Sequence, residues 1–292
     1  MNEIIIIYGP TAVGKSSIGI ELAKMLDGEI ISADSMQIYK HLDIGSAKVT
    51  KDEMQGIKHH LIDILEPTQD FSASEFAKMS KKICKEIINR GKTPIIVGGT
   101  GLYINGLINE YNFGSAQKNV EFRNSLETLT NEDIYSRIIA INPNIIVDKC
   151  NRRRLIRTLE RLTFGEDLAK EKSEFTYKLF AIIDDRQKIY DRINNRVDQM
   201  LKDGLLEEAK YLKSLNLSND NLALKAIGYK ELFPYLDGEN TLEECASILK
   251  QKTRNYAKRQ FTYMNQFQNI TKIEFCGIKE TATKIFNIIK EK

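Results

Sequence analysis

The stretch from residue 4 to residue 17, IIIIYGPTAVGKSS, limits what this chain can fold into more than any other segment. Four isoleucines followed by a tyrosine predict a short strand that is buried on both faces of a sheet. Residues 9–16 fit the phosphate-loop motif G-x-x-x-x-G-K-[ST] at every fixed position, and apolar residues with helical spacing follow from Ile18 to Leu26. Strand, glycine loop and helix in this order are the context that the motif requires. The sequence therefore predicts a site for a diphosphate or triphosphate.

The loop residues suit an anionic ligand. Backbone N–H groups of the loop and the positive end of the following helix would surround the phosphate oxygens. Lys15 is expected to reach the outer phosphates, and the Ser16 hydroxyl is expected to ligate Mg²⁺, the predicted cofactor. The motif does not identify the molecule that carries the phosphates. The predicted phosphate-binding residues are Gly9, Pro10, Thr11, Ala12, Val13, Gly14, Lys15 and Ser16.

Asp34 lies at the end of the second predicted strand. Gly28 is expected to end the first helix, and residues 29–34, EIISAD, predict the strand. Because ligands in open α/β sheets bind beyond the carboxyl ends of the strands, Asp34 is expected to face the phosphate loop. The alternative, in which Asp34 only caps a turn, is also open.

A third strand is predicted at residues 93–97, after a helix that begins with the capping box Ser72–Glu75. Alternating strands and helices predict an α/β fold of the phosphate-loop type, with a mainly parallel sheet and flanking helices. The third strand ends in two glycines and Thr100 rather than in the aspartate of a Walker B strand, which weakens the case for ATP hydrolysis. Thr100 and the glycine N–H groups are predicted either to bind an anion or base, or to form only a turn.

A helical insertion domain is predicted at residues 114–175, within a core formed by residues 1–113 and 176–292. Residues 152–161 contain five arginines and one glutamate, which indicates either a phosphate-binding surface or a solvated helix face. Residues 179–183 are predicted to be the last strand. A basic helix near residues 250–259 includes Tyr256, with Phe261 and Tyr263 beyond it, which suits either base stacking or packing onto the core.

Charge and cysteine content restrict the function classes. The net charge is only +3, so a polyanion would have to bind at a local patch. The four cysteines are scattered without a C-x-x-C pair, which disfavours a zinc site and indicates a reducing compartment. The apolar segment at the N-terminus is too short for a signal peptide or membrane span, so we expect a cytoplasmic protein without a membrane partner. The adjacent pair His59 and His60 favours a structural role over metal binding.

Two reaction classes fit these residues. A small-molecule kinase would use Asp34 to deprotonate a hydroxyl that attacks the γ-phosphate of ATP. A group transferase would bind a diphosphate as leaving group and use Asp34 to accept a proton from the incoming nucleophile. The basic helices favour a large anionic acceptor and hence the transferase.

Eight motifs, taken together and in this order, resemble the tRNA dimethylallyltransferases, also called tRNA isopentenyltransferases. They extend over nearly the whole chain: GPTAVGKS at 9–16, SADSMQIYK at 32–40, DIGSAK at 43–48, HHLID at 59–63, PIIVGGTGLYI at 94–104, RRRLIRTLE at 152–160, AIGYKE at 226–231 and AKRQFTY at 257–263. The resemblance implies transfer of a dimethylallyl group from dimethylallyl diphosphate to the N6 amine of the adenine just 3′ of a tRNA anticodon, with magnesium. It further implies contact with the anticodon stem-loop, and we expect a monomer.

The resemblance also assigns roles to residues. Thr11, Lys15 and Ser16 would bind the diphosphate, Asp34 would be the base, and Lys15 and Thr100 would complete the catalytic set. The implied tRNA contacts are Asp34, Ser35, Met36, Gln37, Thr100, Arg153, Arg154, Leu155, Ile156, Arg157, Lys225 and Lys230. The chain departs from the family at Tyr263, where a tryptophan is usual, and at Leu224 and Lys225.

Three alternatives remain at this point. An isopentenyltransferase that acts on free adenine nucleotide shares the phosphate loop and Asp34, but does not need the arginine-rich insertion. A small-molecule kinase predicts ATP turnover. A nucleotide-dependent RNA-binding protein predicts that replacing Asp34 leaves every activity unchanged.

Overall fold

The computed structural model describes residues 2–109, 119–164, 174–218 and 221–291. The chain divides into two compact units, a core unit of Met1–Ile108 with Ser173–Lys292 and an insertion unit of Asn109–Lys172. Position 114, the predicted start of the insertion, lies outside the described residues. Within the described ranges, no helix is both long and apolar enough to cross a bilayer.

The core unit is built on one sheet, in which every strand pair recorded for the described residues is parallel. This confirms the predicted α/β class with a parallel sheet. The spatial order is β3-β2-β4-β1-β5-β6, so β1 lies between β4 and β5. The strands are β1 (Glu3–Tyr8), β2 (Gly28–Ser32), β3 (His59–His60), β4 (Thr93–Gly98), β5 (Thr176–Ile183) and β6 (Ile270–Glu274).

Helices cover both faces of the sheet. Successive residues of β1 point to opposite faces: Ile4 and Ile6 pack in one apolar cluster, and Ile5 and Ile7 in another. The isoleucine run is thus buried on both sides, as predicted. The helices of the core unit are α1 (Lys15–Leu26), α2 (Ala73–Asn89), α3 (Gly101–Ile108), α7 (Arg186–Lys202), α8 (Leu205–Ser214), α9 (Phe233–Leu236), α10 (Leu242–Met264) and α11 (Ile278–Lys290).

Two details of the predicted fold were wrong. The strand at residues 179–183 is not the last, because β6 pairs with it at the edge of the sheet. Only Ile273 of β6 is buried, so this strand carries no apolar run that the sequence could reveal. Gly28 does not end α1 either: Asp27 adopts the left-handed conformation at φ 45°, and Gly28 begins β2. A Cβ on Gly28 would lie 2.9 Å from the backbone carbonyl oxygen of Thr93, which explains why glycine is needed there.

The histidine pair is structural, as favoured. His59 and His60 form β3, and His60 Nε2 lies 2.7 Å from the carboxylate of Glu29. Arg90 donates a second hydrogen bond of 2.7 Å to the same carboxylate. Burial raises the pKa of Glu29, but the hydrogen bonds from His60 and Arg90 outweigh burial and hold that pKa below its usual value. Among the described residues, no cluster of histidine, cysteine and carboxylate side chains has the geometry of a metal site.

The described part of the insertion unit is helical and has its own apolar core. Leu126, Ile134, Ile138, Leu155 and Leu159 form that core. The helices are α4 (Val120–Ser125), α5 (Asn131–Ile141) and α6 (Arg152–Thr163).

A buried carboxylate joins α4 to α6 in the insertion unit. The Glu160 side chain is fully buried and accepts hydrogen bonds of 2.8 Å from both Arg123 and Arg157. The Asn119 N–H donates to Glu160 as well, at 3.1 Å. Burial raises the pKa of Glu160, but the two arginines outweigh burial and lower the pKa to about 2.

Glu160→Gln is expected to destabilise α6 by about 3 kcal/mol at pH 7, because the two guanidinium groups lose a buried charge partner. Since the folded-state pKa lies below the ordinary 4.5, this stabilisation is complete above about pH 4.5 and is lost as the pH falls towards 2. Amide hydrogen exchange in α6 measures the local free energy of opening. The exposed Glu127→Gln is the matched control. An equal loss at pH 7 and pH 3 would contradict the assignment.

Candidate active site

The phosphate loop connects β1 to α1 and turns sharply around its glycines. Gly14 has φ 92° directly before the first residue of α1, a conformation that side chains disfavour. Gly9 lies so close to β5 that a Cβ would be 2.9 Å from the carbonyl oxygen of Ile182. The Lys15 ammonium lies over the loop and donates to the Pro10 carbonyl oxygen at 3.0 Å. The loop therefore has the shape of an anion site at a helix N-terminus.

Lys15 lies close to two other charged groups. Burial lowers its pKa to about 8; the Asp34 carboxylate opposes this effect, and the Arg196 guanidinium reinforces it. Burial also lowers the pKa of Arg196. The Lys15 ammonium and a helix N-terminus thus meet at the loop, and the positive charge of Arg196 adds to them, which is favourable for a ligand with several negative charges. Sequence analysis had not assigned Arg196 to this site.

Asp34 and Thr100 follow the carboxyl ends of the neighbouring strands β2 and β4. The Ser35 N–H donates to Thr100 Oγ1 at 3.2 Å, and the Thr100 N–H donates to the Ala33 carbonyl at 3.2 Å. The Met36 N–H donates to Asp34 Oδ1 at 2.9 Å. Asp34 therefore caps its turn, and its carboxylate acts electrostatically on Lys15; a direct role for Asp34 at the phosphate loop remains a prediction.

Residues 35–37 differ in how much of their side chains is accessible. Ser35 and Met36 are half-buried beside Asp34. Gln37 is buried, accepts from the Ser32 hydroxyl at 2.9 Å and donates to the Ala47 carbonyl at 3.2 Å. The Gln37 side chain thus supports the surrounding loop, and a tRNA contact by these three residues remains a prediction.

Helix α10 contributes Gln260, which sequence reasoning had not assigned to the site. The Thr11 N–H donates to Gln260 Oε1 at 2.8 Å, and Gln260 Nε2 donates to the Gly99 carbonyl at 3.0 Å. Tyr256 lies one turn earlier on the helix. Burial and then the Asp34 carboxylate raise the pKa of Tyr256, and hydrogen bonding with Thr100 and Gln260 opposes this. Helix α10 therefore brings two polar side chains to the loop and the Thr100 turn.

Tyr263 packs against the start of α3. A Cβ on Gly101 would lie 2.2 Å from the Tyr263 ring, and Asn105 Nδ2 donates to the Tyr263 hydroxyl at 3.3 Å. Its ring also lies 5.7 Å from that of Phe267, centroid to centroid. For Tyr263, these contacts favour the alternative in which the ring packs onto the core.

The motifs at residues 43–48 and 226–231 are joined by one carboxylate. Glu208 accepts the N–H groups of Asp43, Ile44 and Gly45 at 2.7–3.0 Å. The hydroxyl of Tyr229, a fully buried residue, donates to the same carboxylate at 3.1 Å. A carboxylate that receives four hydrogen bonds holds both segments in place, so these motifs have a structural function.

The predicted tRNA contacts outside the loop region fall into four groups: exposed residues, half-buried residues, one arginine in an ion pair and one buried leucine. Arg153, Arg154 and Lys225 are exposed, while Ile156 and Lys230 are half-buried. Arg157 donates to Glu160, so its charge is already partnered. Leu155 is fully buried in the core of the insertion unit, which makes a side-chain contact with tRNA wrong for this residue. Its assignment came from the family resemblance, which implied contact by the whole segment 153–157, whereas helical periodicity turns the Leu155 side chain inward.

Comparison with known proteins identifies close relatives over almost the whole chain. Residues 37–267 match the IPP transferase family. A tRNA dimethylallyltransferase of Streptococcus pyogenes serotype M49 is 49% identical over 280 residues, 94% of this chain and 91% of the relative. The serotype M3 protein of the same name is 48% identical over 279 residues, again 94% of this chain and 91% of the relative.

Comparison with solved structures also identifies tRNA-modifying prenyltransferases as similar to this chain. The full-length tRNA isopentenylpyrophosphate transferase of Bacillus halodurans superposes with a TM-score of 0.77 at 38% identity, and covers 99% of this chain and 96% of its own. A eukaryotic dimethylallyltransferase acting on tRNA superposes with a TM-score of 0.83 at 28% identity, and covers 99% of this chain and 78% of its own.

Proposed function

This chain belongs to the tRNA dimethylallyltransferase family, and from that membership we propose the reaction of its site. The enzyme transfers a dimethylallyl group from dimethylallyl diphosphate to the N6 amine of the adenine immediately 3′ of the anticodon in tRNA. The product is N6-dimethylallyladenosine, and diphosphate is released. We further propose that the enzyme acts as a monomer in the cytoplasm.

The phosphate loop binds the diphosphate of the donor, which is the leaving group. As the bond between C1 of the allyl group and the diphosphate oxygen breaks, the electron pair stays with the diphosphate. The Lys15 ammonium and the N–H groups at the start of α1 stabilise this charge, and the positive charge of Arg196, which acts on Lys15, adds to them. The allylic double bond stabilises the electron-poor carbon, so departure of the diphosphate is the step that needs most help from the protein.

Asp34 acts on the nucleophile. An adenine amine is a weak nucleophile because its lone pair is delocalised into the ring. Asp34 accepts the proton from N6 while the lone pair of N6 forms the bond to C1. The acceptor adenine must leave its base stack to reach Asp34 and Thr100, as in other enzymes that modify bases.

The residues of the loop fit a magnesium ion. Mg²⁺ usually keeps several waters and binds one or two protein ligands together with substrate phosphates. The half-buried Ser16 hydroxyl at the start of α1 is a suitable ligand of this kind, beside the loop that would hold the phosphate oxygens. When bound, the ion would neutralise part of the charge on the departing diphosphate.

One observation carries the choice of reaction class. The carboxylate that interacts with Lys15 comes from Asp34 after β2, while β4, the strand next to β1, ends in Gly98, Gly99 and Thr100. A base is present beside the phosphate loop, whereas the aspartate expected of an ATP-hydrolysing site is absent from the end of β4. This arrangement supports a transferase that discards diphosphate.

The proposal is tested with labelled dimethylallyl diphosphate, two acceptors and a control without acceptor. Unmodified tRNA, AMP and a no-acceptor control are incubated with the protein and magnesium, and ATP turnover is measured in parallel. Label is expected on tRNA alone. Label only on AMP would indicate the free-nucleotide enzyme, ATP turnover without label transfer would indicate a kinase, and no transfer at all would overturn the proposal.

Arg153→Ala combined with Arg154→Ala is expected to weaken tRNA binding and reduce its dependence on salt. Each lost phosphate contact lowers the slope of log K against log[salt] by about 0.7–0.9, so the pair should lower it by about 1.5. Fluorescence anisotropy with labelled tRNA between 50 and 200 mM salt, roughly the range over which such contacts act, measures this slope. Arg137→Ala is the comparison, because Arg137 is an exposed arginine on α5 of the same unit and is not among the predicted tRNA contacts. An unchanged slope in the double variant would identify the arginines as a solvated helix face.

A further inference from the structure

Gln260 connects two parts of the site that lie far apart in sequence. It is 3% exposed, and both ends of its amide are hydrogen-bonded, to the Thr11 N–H of the phosphate loop and to the Gly99 carbonyl before Thr100. The Tyr8 hydroxyl donates to the Gln260 backbone carbonyl at 2.8 Å, so the helix is fixed at this residue as well. The amide thus spans the loop after β1 and the turn after β4.

The local backbone is shaped to receive this amide. A Cβ on Gly99 would lie 2.1 Å from Gln260 Nε2, so any larger residue in the turn would push the side chain away. The donor and acceptor of the amide also have matched partners, since Thr11 supplies an N–H and Gly99 supplies a carbonyl. A carboxylate of the same size could accept from the Thr11 N–H but could not donate to the Gly99 carbonyl.

On the basis of the proposed function, we infer that Gln260 is a positioning residue, which sets the distance between the diphosphate loop and the Thr100 turn. The loop carries the leaving group, and the turn lies beside Asp34, where the acceptor amine must approach. Transfer requires the reacting atoms to be held about 3–3.5 Å apart, and a displacement of about 1 Å can reduce the rate about 10²-fold. A bridge from one side of the site to the other restricts such displacements directly.

Gln260→Glu tests this role with little change in volume. The carboxylate retains an oxygen that accepts the Thr11 N–H, but it cannot donate to Gly99 until it is protonated. We expect kcat to fall about 10²-fold at neutral pH with the KM for tRNA nearly unchanged. The ratio of variant to wild-type kcat should then rise as the pH is lowered and the donor returns.

Gln260→Met and Gln251→Glu complete the experiment. The methionine variant lacks both hydrogen bonds and should lose kcat without recovery at low pH. Gln251 is exposed on the same helix, so Gln251→Glu should behave as the wild type throughout. Thermal unfolding is measured for each protein beside kcat and KM.

Each outcome is decisive. Wild-type kcat in both Gln260 variants would overturn the inference while leaving the proposed function intact. A loss of activity in Gln260→Glu that tracks a lower unfolding temperature and does not recover at low pH would show that Gln260 only supports the fold. A wild-type protein that transfers no label would overturn both the proposed function and this inference.

Discussion

Asp34→Asn is expected to lower kcat for dimethylallyl transfer about 10²- to 10⁴-fold, the range typical of a lost general base. The variant should still bind tRNA, because asparagine has nearly the same size and differs mainly in charge and basicity. Single-turnover transfer with labelled dimethylallyl diphosphate measures the chemical step, and filter binding measures tRNA affinity.

Asparagine also preserves the structural contribution of Asp34. Its amide oxygen can still accept the Met36 N–H, so the turn after β2 should persist. Asp203→Asn is the control, since Asp203 is exposed and its carboxylate accepts a hydrogen bond of 2.7 Å from Gln199 of α7. Normal turnover in Asp34→Asn would remove this residue from the chemistry and leave it as a turn cap.

Lys15→Met should reduce kcat/KM for dimethylallyl diphosphate about 10²- to 10³-fold, the usual effect of removing one group that stabilises a developing oxyanion. Methionine keeps most of the length of the side chain and removes its charge. Lys24→Met, on the exposed side of the same helix, should have little effect. Steady-state kinetics at saturating tRNA measure both variants.

The lowered pKa of Lys15 also predicts how binding of dimethylallyl diphosphate depends on pH. Its pKa is lowered to about 8, so the ammonium loses its proton as the pH rises through 8. A bound diphosphate favours the charged form, so donor binding should take up a proton near pH 8 and weaken up to about tenfold per pH unit above it. Calorimetry in two buffers of different ionisation enthalpy detects the proton. The same uptake in Lys15→Met would assign it to another group.

The phosphate loop and Asp34 could be predicted from the sequence because the signals for both lie within short, continuous segments. Every fixed position of the loop lies within residues 9–16, and the flanking strand and helix have clear apolar patterns. Asp34 follows from the rule that ligands bind beyond the carboxyl ends of parallel strands. Neither inference requires knowledge of which distant segments meet.

Gln260 and Arg196 could not be found in this way. Gln260 reaches Thr11 across 249 residues, and its position depends on how α10 packs over the ends of β1 and β4. Arg196 acts electrostatically on Lys15 because β5 pairs with β1 and α7, which carries Arg196, follows β5. The sequence shows a glutamine and an arginine on amphipathic helices, and such a pattern does not reveal the partner of an individual side chain.

For helix α6 as well, the sequence does not reveal which charged side chains form ion pairs. Five arginines in ten residues indicate a basic surface, but the spacing does not reveal that Arg157 pairs with the buried Glu160 while Arg153 and Arg154 are exposed. Strand β6 was missed because an edge strand needs only one buried residue. In both cases the deciding contacts are tertiary.

The position of the label on the RNA tests the central claim most directly. An unmodified anticodon stem-loop is reacted with labelled dimethylallyl diphosphate beside a matched RNA in which inosine replaces the adenine 3′ of the anticodon and thereby removes the N6 amine. After digestion to nucleosides, all label is expected in N6-dimethylallyladenosine from the first RNA and none from the second. Label at another nucleoside, or equal labelling of the inosine RNA, would contradict the account.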